Sequence, residues 1–150
     1  FRSLIAEPFV TVASPQYLLM NGTPQHPSEL VHHRCLFASS LTGSNDWAYE
    51  INSESHFFKI PKSLEVCDST LLRKSVLSGA GIAYLPEYVV RRDIRNGKLT
   101  CLFKEMKTSE WLLNLYYPAR SQITECVSSF KHFLIEQHTS TYEKIRAENH

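Results

Sequence analysis

The run Phe-Val-Thr-Val-Ala at residues 9–13 ends against Ser14-Pro15. A β-branched apolar run suits a buried strand. A serine followed by proline suits a helix N-cap and a first helical position. A strand that passes into a helix within two residues restricts the possible folds, and the pattern recurs. Residues 64–67 read as a strand, with Asp68 or Ser69 capping a helix over 70–78 that stops at Gly79. Residues 81–85 read as a strand ended by Pro86, followed by a helix over 87–93 and a turn at Asn96-Gly97. Such alternation predicts an α/β domain with a mixed sheet flanked by helices.

The remaining segments fill in this scheme. A short helix is expected over 15–20, stopping at Asn21-Gly22, and a short turn capped by Ser28. Residues 35–38 read as a strand, and 47–51 with 56–60 as a hairpin across 52–55. Strands are expected at 99–103 and 112–117, the second ended by Pro118. In the helix at 70–78, Leu71, Leu72, Val76 and Leu77 form the expected buried stripe. Ile123, Cys126, Val127, Phe130, Phe133 and Leu134 fall at helical spacing, with a polar, frayed tail from Thr139.

The 150 residues, 43% of them apolar, suffice for one domain with a core. The net charge is +1 and no Lys/Arg cluster exceeds two neighbours, so nothing here predicts direct contact with DNA. There is neither an apolar run of transmembrane length nor a basic-apolar leader in these residues, so no membrane partner is expected, and the four scattered cysteines suit a cytoplasmic protein. The sequence opens at Phe1 and reads as a fragment.

Cys35, Cys67, Cys101 and Cys126 form no C-x-x-C pair and read as reduced, mostly buried thiols, without metal. Gly79-Ala80-Gly81 follows a helix, and Tyr84 stands where a dinucleotide loop needs its third glycine. It therefore reads as a helix stop and a tight strand entry, with no cofactor. Ser78 lacks the frame of a nucleophile elbow, and the adjacent His32 and His33 read as solvated surface. No catalytic or metal-binding set is found.

Cys67-Asp68-Ser69-Thr70 lies where a strand ends and a helix begins. Unpaired N–H groups and two hydroxyls there can receive an anion, or can serve only as a helix cap. Ser14-Pro15-Gln16 has the same character. Cys67 also permits a thiol sensor at a helix start.

The order and spacing of several segments resemble the effector-binding domain of LysR-type transcriptional regulators. They are Val12-Ala13-Ser14-Pro15-Gln16-Tyr17-Leu18, Gly22-Thr23-Pro24, Pro27-Ser28-Glu29-Leu30, His33-Arg34-Cys35-Leu36, Trp47, Asp68-Ser69-Thr70-Leu71-Leu72 and Gly79-Ala80-Gly81-Ile82-Ala83-Tyr84-Leu85-Pro86. Gly97-Lys98-Leu99, Leu115-Tyr116-Tyr117-Pro118, Phe130 and Phe133 complete the likeness. It implies a periplasmic-binding-protein-like fold of two lobes, one of them mostly absent here. Residues 1–13 would end the first lobe and form a hinge strand, 14–111 the second lobe, 112–138 the return strand and helix, and 139–150 the tail. The resemblance implies a small-molecule effector between the lobes, with Ser14, Pro15, Cys67, Asp68, Ser69, Thr70, Tyr84 and Pro86 around it. It also implies DNA contact only through an N-terminal helix-turn-helix outside this sequence, and a homodimer or tetramer. The helix with Phe130 and Phe133 is expected to dock on the second lobe or on another copy. A solute-binding protein of the same fold is the alternative; it would carry a leader or lipid anchor upstream.

Overall fold

A computed structural model describes residues 2–42, 44–116 and 124–147. The chain divides into two compact units, residues 8–110 and residues 1–7 with 111–150. Strand β1, Arg2–Ala13, contributes to both.

In the 8–110 unit a mixed sheet runs in the order β5-β2-β6-β1-β7. These strands are Lys62–Val66, Cys35–Ala38, Ile82–Pro86, β1 and Thr100–Leu102. β2 is parallel to β5 and β6, whereas β1 is antiparallel to β6 and β7. Two-residue alternation sorts side chains onto two faces. Val12, Leu36, Ala38, Ala83 and Leu85 face one way and form a core with Leu72, Val76 and Val90. Those last residues belong to helices α2, Ser69–Leu77, and α3, Glu87–Arg95. Of the expected stripe on α2, Leu72 and Val76 are buried but Leu71 is exposed, because it lies about 100° round the helix from Leu72, just outside the buried stripe.

The other face carries Phe9, Thr11, Phe37 and Tyr84 beneath a hairpin of β3, Asp46–Ile51, and β4, Glu54–Lys59. Tyr84 stacks on Phe9 at 4.7 Å and on Trp47 at 5.2 Å, and Tyr49 meets Tyr84 and Phe103 edge-on. Tyr49 and Thr11 share a hydrogen bond of 2.6 Å. The hairpin turns on Asn52-Ser53 alone, not on the four residues expected. Both have positive φ, at 52° and 64°, the geometry whose twist matches a tight hairpin.

Three further expectations are corrected. His26, not Ser28, caps the 3-10 turn Pro27–His32, its ring accepting from the Ser28 N–H. His33 is not free surface; its Nδ1 and the Tyr17 hydroxyl share a hydrogen bond of 3.1 Å, and partial burial lowers its pKa. Only Cys35 is fully buried among the thiols, with Cys101 half-buried and Cys67 and Cys126 exposed. Ser14 caps α1, Pro15–Asn21, as expected, accepting from the Tyr17 N–H at 3.1 Å.

In the other unit, β8, Glu110–Leu115, pairs with β1, and α4 spans Glu125–Ala147. Thr124 opens α4, its hydroxyl accepting from the Val127 N–H. The helix continues through the segment expected to fray. Val127, Phe130 and Phe133 remain exposed. Tyr117, Pro118 and Ile123 lie outside the described residues.

Gly79 has φ 81° and closes α2, and Gly81 enters β6 against the carbonyl of Arg34. A Cβ on Gly81 would come within 2.3 Å of that oxygen, which also accepts from the Ile82 N–H at 2.8 Å. Relief requires moving backbone within the sheet, so Gly81→Ala is expected to cost about 2–3 kcal/mol, read as a lower urea midpoint with an unchanged slope.

Candidate functional site

Strand direction decides which loops can share a site. Because β2, β5, β6 and β7 point one way, their carboxyl ends share one edge of the sheet, followed by Ser39, Cys67, Glu87 and Phe103. Ligands of open α/β sheets lie outside that edge. β1 runs the other way and leaves at the opposite edge, where Ser14 and Pro15 start α1.

The two strand tips expected to face one crevice are therefore separated. Ala13 is level with Ile82 and Cys35, whereas Val66 is level with Ala38. Three strand residues, about 10 Å, and three strand spacings of about 4.8 Å divide them. Ser14 is buried, and its hydroxyl accepts from the Tyr17 N–H. Pro15 is exposed at the same edge. Both belong to the start of α1.

Tyr84 lies beneath the hairpin, stacked on Trp47. It is 4% exposed, and its hydroxyl donates to the Ala48 carbonyl at 3.0 Å and contacts Ser109 Oγ at 3.1 Å. Burial raises its pKa. Pro86 is buried at the end of β6 and begins α3 without a side-chain cap.

Cys67, Asp68, Ser69 and Thr70 do lie together at the carboxyl edge. Asp68 Oδ1 accepts from the Leu71 N–H at 2.9 Å, and the Cys67 thiol donates to Oδ2 at 3.4 Å. The Leu71 hydrogen bond, then the thiol, hold the Asp68 carboxyl below the usual carboxylate range. The cap reading thus holds for Asp68.

Ser69 and Thr70 also line a groove of about 550 Å³ between α2 and α3, with Arg73, Tyr88, Val89 and Arg92. Arg73 forks onto Asp93, Nε to Oδ2 at 2.5 Å and Nη2 to Oδ1 at 2.8 Å. Asp93 is 3% exposed, and its hydrogen bonding raises the Arg73 pKa. Sequence reading missed Arg73, Tyr88 and Arg92. Their signal is spacing: Arg73 stands four and three residues after Ser69 and Thr70, and Arg92 four after Tyr88, which places each set on one helix face. A second groove, about 400 Å³, borders β1 and β7 along Phe9, Leu102, Phe103 and Lys104. Among the described residues no group of three or more His, Cys, Asp or Glu side chains is arranged to hold a metal ion.

The LysR substrate binding domain family matches residues 1–139. The transcriptional regulator CrgA of Neisseria meningitidis serogroup C is 33% identical over 137 residues, 91% of this chain and 46% of CrgA. YhjC of Escherichia coli, an uncharacterized HTH-type regulator, is 30% identical over 83% of this chain and 42% of its own length. The chain thus spans about half the length of these relatives. The CrgA regulatory domain superposes with a TM-score of 0.73 at 30% identity, covering 91% of this chain and 67% of that domain. Full-length AphB of Vibrio cholerae gives a TM-score of 0.80 at 23% identity, over 91% of this chain and 47% of AphB. The likeness to AphB concerns the fold, and with CrgA it bears out the expected periplasmic-binding-protein-like α/β class.

Asp68→Ala is expected to lower the urea midpoint at neutral pH. Because the folded carboxyl titrates below its ordinary value, its stabilisation is present above that value and is lost as pH falls through the carboxylate range. The gap between wild type and variant should therefore close in acid.

Proposed function

The chain belongs to the LysR substrate binding domain family, and from that premise we propose that it is the effector-sensing part of a DNA-binding transcriptional regulator. Support comes from the family match over residues 1–139. The observation that carries the site is the gathering of Ser69 and Thr70 at the carboxyl edge of the sheet, on a groove open to solvent.

A small molecule is captured at that edge by the hydroxyls of Ser69 and Thr70. Asp68 keeps the start of α2 in place by holding the Leu71 N–H. Ser14, Pro15, Tyr84 and Pro86 act on folding, not on the ligand. Bound effector favours one arrangement of the regulator only by the difference in its affinity for the two. That preference passes through contacts between copies to DNA-binding domains carried elsewhere in the whole protein. The regulator is a cytoplasmic homodimer or tetramer and catalyses no reaction. Among the described residues no helix is long and apolar enough to cross a membrane.

The test uses the full-length regulator on its operator DNA, with DNA affinity measured against effector concentration. Ser69→Ala with Thr70→Ala is expected to raise the half-response concentration about tenfold, the loss of one to two hydrogen bonds. Ser14→Ala should cost about 1 kcal/mol of stability as a lost cap and leave the half-response unchanged. An unaltered response in the double variant would remove the site.

A further inference from the structure

We propose that the groove between α2 and α3 takes an anionic small molecule, a carboxylate or phosphate held by Arg73 and Arg92 with the hydroxyls of Ser69 and Thr70. The inference rests on the effector-sensing reading and deepens it by naming the charge of the effector.

The lining is one-sided. Its polar side chains are Ser69, Thr70, Arg73, Tyr88 and Arg92, and no carboxylate is among them. The hydroxyl and guanidinium groups are hydrogen-bond donors and the two charged residues are both cations; Asp93 offsets the charge of Arg73, so Arg92 carries the uncompensated positive charge. Arg73 is held before any ligand arrives. Its fork onto buried Asp93 uses two of the five N–H donors of a guanidinium and leaves three. Fixing the fork in advance lowers the ordering cost of binding a flat carboxylate or a phosphate. Arg92 is exposed, and its guanidinium forms no ion pair among the described residues. At about 550 Å³ the groove lies in the range of small-molecule sites.

The start of α2 does not carry this proposal, since Asp68 has already taken the Leu71 N–H. Asp68 turns toward Leu71 and the Cys67 thiol, and is not part of the lining. The attraction is therefore local to the two guanidinium groups, and an anion seated elsewhere along this edge would meet the Asp68 charge instead.

The test follows the backbone amide NMR signals of this chain during titration with inorganic phosphate, benzoate and the neutral benzamide. Phosphate and benzoate are expected to shift Ser69, Thr70 and Arg92, and benzamide to leave them in place. Arg92→Gln should weaken both anions tenfold or more, whereas Lys98→Gln, which removes the same charge from an exposed turn, should not. Arg73→Lys keeps the charge and loses the fork, so it should weaken benzoate while the remaining spectrum stays folded. Truncating Arg73 outright would strand buried Asp93 and confuse stability with binding. Anions that bind equally to the Arg92→Gln variant, or that never move Ser69 and Thr70, overturn the proposal. If the full-length regulator still loses its effector response on Ser69→Ala with Thr70→Ala, the sensing reading survives with a neutral or cationic effector.

Discussion

β1 enters a sheet of like-directed strands the other way round, between β6 and β7. Reversing that one strand would bring the start of α1 to the edge where the other strands end. As built, the loops after β2, β5, β6 and β7 gather at one edge, and α1 begins at the other. The same strand also helps to cover both faces. Val12 joins the helix-side core, and Phe9 and Thr11 join the aromatic side. A central strand with apolar residues in both directions is what a sheet buried on two sides requires.

Tyr84 shows how the aromatic side is held. Its ring lies between Phe9 and Trp47, and its hydroxyl reaches the backbone of β3 and the side chain of Ser109. A buried phenol is tolerated because its polar end is paired. The neighbouring segment is bound to β1 as well: the Phe9 N–H donates to the Ser109 carbonyl at 3.0 Å, and Thr108 Oγ1 donates to the Phe9 carbonyl at 2.5 Å. Hairpin, sheet and the 107–109 segment thus meet around one tyrosine, which gives it a structural role.

Several element boundaries are legible in local chemistry, whereas the cap at His26 and the tight turn at Asn52-Ser53 are not. Ser14-Pro15, Asp68, Gly79 and Gly97 each mark a helix boundary or a turn at the position where the residue type acts. The class of fold followed from their alternation. What local chemistry does not encode is strand direction and order, because these arise from contacts distant in sequence. Ser14 and Ser69 look alike as strand-to-helix junctions, and only the antiparallel placement of β1 sends them to different edges. Tyr84 and Leu71 were misplaced for a related reason. An aromatic residue in an apolar run can face a cleft or a core, and a leucine in the first turn of a helix can fall just outside the buried stripe. Spacing puts Arg73 on one helix face with Ser69 and Thr70, and Arg92 with Tyr88, but only the packing of α2 beside α3 joins the two sets in one groove.

The pair Arg73–Asp93 links the energetics of this unit to its chemistry. Asp93 is held below the surface by α3, and at that depth a carboxylate needs a cation. Arg73 supplies it from α2 while its own side chain stays 36% exposed. Exposure of one partner softens the desolvation that makes fully buried pairs costly. The bidentate geometry still fixes the guanidinium more firmly than a surface pair would. One end of the arginine therefore serves the packing of two helices, and the other is presented to solvent at a set angle beside Ser69 and Thr70. A residue tied down for structural reasons is a better binding group than a free one, because the entropy of placing it has been lost already in folding. On the proposal that the groove takes an anion, that coupling is what sets it apart from the ordinary crease between two packed helices.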